Sequence, residues 1–220
     1  MPRSLSTVVY HAARLSLDLR EPAWTTDGEI LNADRVALSE MRETRDAAKF
    51  VHLQHDPRLF ARLTAFLDDA VQLEGCAYKD VVNPFVAAEW VQARQIGVLK
   101  VRRGIPDVAL SMRTRGWMYP CRLARETSDT DQALVAGLVQ AWRTIDAVPG
   151  ETIDYDALVE DDSLLQQTLR RLYPDEHVRR AHFVDNTFAA NRGAILRRRE
   201  SEQYRQMASL LASLMAAPMP

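Results

Sequence analysis

The stretch from Ile96 to Arg125, IGVLKVRRGIPDVALSMRTRGWMYPCRLAR, constrains the fold more than any other part of the chain. Its apolar residues alternate. Leu99 and Val101 face away from Lys100 and Arg102. Val108, Leu110 and Met112 face away from Ala109, Ser111, Arg113 and Arg115. Trp117, Tyr119, Cys121 and Leu123 face away from Met118, Pro120 and Arg122. A period of two with one apolar face marks a half-buried strand. The spacing therefore predicts a three-stranded antiparallel meander near 96–125. Its outer face would carry Lys100, Arg102, Arg113, Arg115 and Arg122 with no carboxylate among them. The rest of the chain must cover the apolar face and supply a counter-charge to the other.

Leu15, Leu17 and Leu19 alternate with Arg14, Ser16, Asp18 and Arg20, which predicts a strand over Ser6 to Arg20 that Glu21-Pro22 ends. Asp27-Gly28 signals a turn. Helices are expected from Asp34 toward Phe50, after Asp56-Pro57 with Leu59, Phe60, Leu63, Phe66 and Leu67 as a stripe, and after Asn83-Pro84 with Phe85, Ala88 and Val91 inward. A further helix, capped by Ser128 or Asp129, would bury Leu134, Leu138, Val139 and Trp142 and break at Val148-Pro149-Gly150. Another starts at Asp154, with Leu158, Leu165 and Leu169 inward, and stops before Pro174. The last helix or pair runs from about Asp175 to Ala216. The expected class is α+β: a small antiparallel sheet, made of N-terminal strands and the meander, packed with several helices, and a helix-rich C-terminal half. Residues 1–126 would form the α+β domain with the basic meander. Residues 127–220 would form a helical region packed on it as one unit.

With 220 residues, 47% hydrophobic and 26% charged, the chain can bury a core without staples. Cys76 and Cys121 have neither metal-type spacing nor a disulfide framework and read as reduced thiols of a cytoplasmic protein. The N-terminus shows no continuous apolar run of signal-peptide length, and nothing reaches the roughly 20 apolar residues needed to span a bilayer.

The net charge of −2 conceals an uneven distribution. Lysine occurs only at positions 49, 79 and 100, so the cations are mostly arginine, a residue suited to bidentate phosphate or carboxylate recognition and also favoured by GC-rich codon usage. Between 100 and 125 only Asp107 opposes Lys100, Arg102, Arg103, Arg113, Arg115, Arg122 and Arg125. Between 146 and 162 the charged residues are Asp146, Glu151, Asp154, Asp156, Glu160, Asp161 and Asp162. A second basic stretch lies on predicted helix and includes Arg197, Arg198 and Arg199. Five cations on one sheet face repel one another by up to about 1 kcal/mol per facing pair, so an anion is expected nearby. Nucleic acid is one candidate, with the arginines on phosphates. The acidic run itself, or an acidic partner protein, is the other. Trp117 and Tyr119 fall on the inner face by the alternation, which favours core packing over base stacking.

His52 and His55 in KFVHLQHD lie one helical turn apart and, with Asp56, could supply metal ligands. No zinc-protease pattern or cysteine pair accompanies them, so surface or capping roles are expected and no metal is assigned. Asp154, Asp156, Glu160, Asp161 and Asp162 lack the glycine and closing glutamate of an EF-hand loop and fit an acidic first helical turn. No phosphate-binding glycine loop, nucleophile elbow or dinucleotide fingerprint is present, and no cofactor is expected. Arg170, Arg171 and His177 in RRLYPDEH resemble the Arg-x4–6-His signature of HEPN ribonucleases, in which Arg and His act together on an RNA phosphate. The match spans eight residues. Leu172 stands where a polar residue is usual, and Pro174 breaks the helix that would carry the motif, so no catalytic role is carried over.

Charge and amphipathic faces without a convergent catalytic set point to a non-catalytic subunit of a larger assembly. It would bind RNA or DNA backbone through Lys100, Arg102, Arg113, Arg115, Arg122, Arg197, Arg198 and Arg199. A small metal-dependent hydrolase or nuclease using His52, His55 and nearby acidic residues, and an adaptor whose basic face meets an acidic partner, are the alternatives. Met207, Leu210, Leu211 and Leu214, continued by Met215, form one apolar stripe at the C-terminus. That stripe is expected to dock on the chain's own core and to leave one edge for a protein partner or self-association.

Overall fold

Asp56-Pro57 and Asn83-Pro84 start helices as the local chemistry demands. The Asp56 carboxylate accepts the Leu59 N–H at 2.9 Å, and a proline occupies the first turn of each helix, where its missing N–H costs nothing. A computed structural model of the chain describes residues 5–30, 49–72, 74–94, 96–124, 130–180 and 184–216. Its helices are α1 (Ser6–Ser16), α2 (Pro57–Ala70), α3 (Pro84–Gln92), α4 (Ile105–Arg113), α5 (Asp131–Asp146), α6 (Tyr155–Glu160), α7 (Ser163–Leu172), α8 (Val184–Arg199) and α9 (Glu202–Ala216), with a 3-10 helix at Tyr119–Ala124. The strands are β1 (Leu99–Arg102) and β2 (Glu151–Asp154). The helix expected from Asp34 toward Phe50 falls almost wholly on residues outside those described.

The antiparallel sheet does not form. Among the described residues there is one two-stranded sheet, and it is parallel: Leu99 pairs with Glu151 and Arg102 with Asp154. Of the expected meander only its first strand exists. The second is α4, which is buried at every position from Pro106 to Met112. Its small residues Ala109 and Ser111 lie as deep as Val108 and Leu110, so the apparent alternation was one of side-chain size, not of exposure. Gly104, Pro106 in the first turn and Asp107 beside the N-terminal dipole start it as a helix. The expected third strand contains Pro120, which cannot donate to a ladder, and it coils into the 3-10 turn.

The expected N-terminal strand is α1. Val9, Tyr10, Ala12 and Ser16 are its buried positions, whereas Leu15 is 44% exposed. What pairing exists there is limited to single parallel bridges, Arg20 with Cys76 and Glu29 with Lys79. The helix expected from Asp154 to Pro174 divides at Asp161-Asp162 into α6 and α7, with Leu158, Leu165 and Leu169 buried as expected.

Three apolar clusters organise the molecule. The first joins α4, the 3-10 turn and α5 with Met207 of α9. The second joins α1, β2, α6 and α7 with Phe188 and Ile195 of α8. The third joins α2 to Val86 and Trp90 of α3. Close packing inside the first cluster requires Gly137: a Cβ there would lie 1.8 Å from the Pro120 carbonyl oxygen. The parallel strands pair residues from either side of position 126. None of the described helices is long and apolar enough to cross a membrane.

Candidate functional site

The cations of 100–125 do not share a face. Lys100 alternates with Leu99 and Val101 on β1, and those two pack into the second apolar cluster. Its side chain therefore turns toward the C-terminus of α5. It is 9% exposed, and Nζ donates to the Asp146 and Val148 carbonyls at 3.2 and 2.8 Å. Asp146 is the last residue of α5, and its carbonyl is one that a helix end leaves without an intrahelical partner, so Lys100 caps α5. Arg103 is 3% exposed and sits 3.5 Å from Asp107, one turn along α4 and fully buried.

Arg199, at the end of α8, donates to the same Asp107 at 2.9 and 3.2 Å and to Asp156 on α6. Burial works against the Arg199 charge, but its hydrogen bonds to Asp107 and Asp156 outweigh that, and the guanidinium is held above its ordinary range. Burial lowers Arg103, with Asp107 acting in the opposite sense. Tyr155 is buried beside them, and that burial pushes its phenol up to about 12. This cluster ties α4, α6 and α8 together.

The acidic run is met by the second basic stretch. Arg171 pairs with Glu151 at 2.9 Å, Arg180 with Asp162 at 2.8 Å, Arg192 with Glu160 at 2.6 Å, and Arg199 with Asp156. The counter-charge for the acidic residues thus comes from α7, from α8 and from the segment between them. Of the Arg197–Arg199 triplet, Arg197 is exposed, and Arg198 and Arg199 are half-buried, Arg199 being held by Asp107 and Asp156.

Three cations of the sequence-derived set stay at the surface near aromatic rings. The Arg115 guanidinium lies 5.7 Å from the Trp117 ring, and Arg122 lies 5.9 Å from Tyr119. Arg102 lies 6.0 Å from Trp142. Lys49 adds its ammonium 4.6 Å from the Tyr119 centroid, and Arg122 donates to the Lys49 carbonyl at 3.2 Å. Trp117 and Tyr119 pack on the first apolar cluster with one part of each ring and stay half-exposed with the other. Arg113 is exposed and paired with Asp131 at 2.8 Å.

His52 and His55 lie with ring centroids 5.6 Å apart. His52 Nδ1 accepts the Gln54 N–H, and its ring rests on Phe85 at 4.1 Å. Among the described residues no three His, Cys, Asp or Glu side chains group as metal ligands. Met207 is fully buried in the chain's own core; Leu210, Leu211 and Leu214 pack half-buried against it, and Met215 is 64% exposed.

A cavity of about 470 Å³ lies between α1, α3, β1, α5 and α7. Sequence reasoning gave no hint of it, because its walls come from segments far apart in the chain. The interior pair Arg103–Asp107, by contrast, was visible as opposite charges four residues apart, the spacing of neighbours on a helix. No protein family, no curated protein and no solved structure matches this chain.

Proposed function

We propose that the protein binds single-stranded nucleic acid at the surface formed by Lys49, Arg115, Trp117, Tyr119 and Arg122, as a non-catalytic component of a larger assembly. The observation that supports this is the interleaving of cations with half-exposed rings on one short segment. Rings stack bases without regard to sequence, and adjacent cations take the phosphates. Arg102, Arg197 and Arg198 are further cations left wholly or partly at the surface. Lys100, Arg199 and Arg113 drop out of the contact set because carbonyls and carboxylates of this chain hold them. A protein contact would use the outer edge of α9 at Met215.

The reading is tested by fluorescence anisotropy with labelled oligo-U and oligo-dT. The expected dissociation constant at low salt is on the order of micromolar, weakening with a log–log salt slope of about −0.7 per phosphate contact. Charge reversal at Lys49, Arg115 and Arg122 should weaken binding at least tenfold at an unchanged melting temperature. Equal binding by wild type and the triple variant would end this assignment.

A further inference from the structure

We infer that the cavity between α1 and β1 is a binding site for a small amphipathic carboxylic acid, with its carboxylate on Arg14 and its apolar body between α1 and α3. The volume, about 470 Å³, falls within the range of sites that enclose small organic ligands. The wall is mostly apolar, with Val9, Trp90, Val101 and Leu169 contributed by four different elements. A ligand body lying there is desolvated on several sides, which is where apolar burial gains most.

The polar groups of the wall define the other end of the ligand. Lys79 is satisfied by the Thr7 hydroxyl at 2.7 Å and stands 4.0 Å from Glu29. Lys100 caps α5, as described. Tyr10 donates to the Ala77 carbonyl at 3.1 Å. Asp80 accepts the Asn83 N–H at 3.3 Å. Asp80 Oδ1 and Trp142 Nε1, in the same wall, are buried without hydrogen-bond partners; among the described cations of the wall, Arg14 is the one with a nitrogen left in that state. Its Nη1 donates to the Leu19 carbonyl at 3.1 Å, its Nε is buried without a hydrogen-bond partner, and it has no carboxylate partner among the described residues. A buried guanidinium nitrogen without an acceptor is costly, and a guanidinium offers two parallel N–H groups to a carboxylate. An acid of this kind satisfies Arg14 and fills the apolar space at once; a neutral alcohol of the same length does only the second.

The test is calorimetric titration of the full chain with decanoate and, separately, with decanol. Decanoate should bind at least tenfold more tightly. Arg14→Met should remove that preference and leave decanol binding where it was, while Arg14→Lys should retain part of it. Ala87→Phe, which fills the cavity from α3, should weaken both ligands at least tenfold. Should Arg14→Met fail to fold, the ratio in Arg14→Lys and the loss in Ala87→Phe decide the matter. Equal affinity for the acid and the alcohol, no binding of either, or wild-type behaviour in the Arg14 or Ala87 variants would each overturn the assignment.

Discussion

Arg199 reaches across 92 residues of sequence to donate two hydrogen bonds to Asp107, a carboxylate with no solvent exposure. Asp107 also stands next to the buried Arg103, so this one fully buried acid lies between two arginines, of which Arg199 also reaches Asp156. Asp107→Asn should therefore cost about 3–5 kcal/mol, because it leaves a buried guanidinium uncompensated. Asp156→Asn should cost about 1 kcal/mol or less, because that carboxylate is partly in water. Urea unfolding of the two variants measures the difference. Equal losses would show that the charge cluster is not centred on Asp107.

Gly137 faces the Pro120 carbonyl with no room for a Cβ. Gly137→Ala must push the 3-10 turn away from α5. Overpacking of this kind costs about 1–3 kcal/mol. The variant should melt well below wild type although alanine is the better helix former, and a rise in melting temperature would contradict the packing.

Asp80 gives the protein a pH-dependent term. Burial pushes its carboxyl up to about 6, with Glu29 acting in the same direction. In the unfolded chain an aspartate titrates near about 4. The folded state therefore holds the proton more tightly, and the group's contribution to stability is fully present below about pH 4 and is lost as the pH rises through about 6. Asp80→Asn keeps an acceptor for the Asn83 N–H and cannot titrate. The stability difference between wild type and this variant, followed by urea midpoints across that window, should move against wild type as the pH rises. A flat difference would remove Asp80 as the source.

The terminal helix α9 offers a direct comparison of two methionines. Met207→Ala should cost about 2–5 kcal/mol, the range for emptying a well-packed site. Met215→Ala, on the exposed end, should stay within about 0.5 kcal/mol. Thermal unfolding of both checks whether the apolar stripe serves this chain's own core.

These contrasts show what could be read from residues alone. Asp56-Pro57 and Asn83-Pro84 announced their helices because capping and proline chemistry act within one turn. Leu158, Leu165 and Leu169 announced their inward face because one side of α6 and α7 remains in water. Helix α4 could not be recognised by period: it is enclosed on all sides, so no polar face marks its turns, and its large and small residues happen to alternate. The cationic face failed with it. Lys100 and Arg103, three residues apart, turn to different partners, a helix end and a carboxylate, and neither partner is near them in sequence except Asp107. The pairing of the acidic run with Arg171, Arg180 and Arg192 depends on how helices meet, which charge patterning does not encode.

The parallel pairing of β1 with β2 also sets an order of events during synthesis. An antiparallel neighbour could have zipped onto β1 within a few residues of its emergence; a parallel one needs a crossover that returns the chain to the same end. Here the crossover carries α4, the 3-10 turn and α5, all of which must leave the ribosome before Glu151 can meet Leu99. At typical elongation rates that leaves β1 unpaired for roughly 3–10 s. During that interval Leu99 and Val101 have no sheet partner, and a nascent chain stalled inside α5 would present that bare edge to its neighbours on the same message.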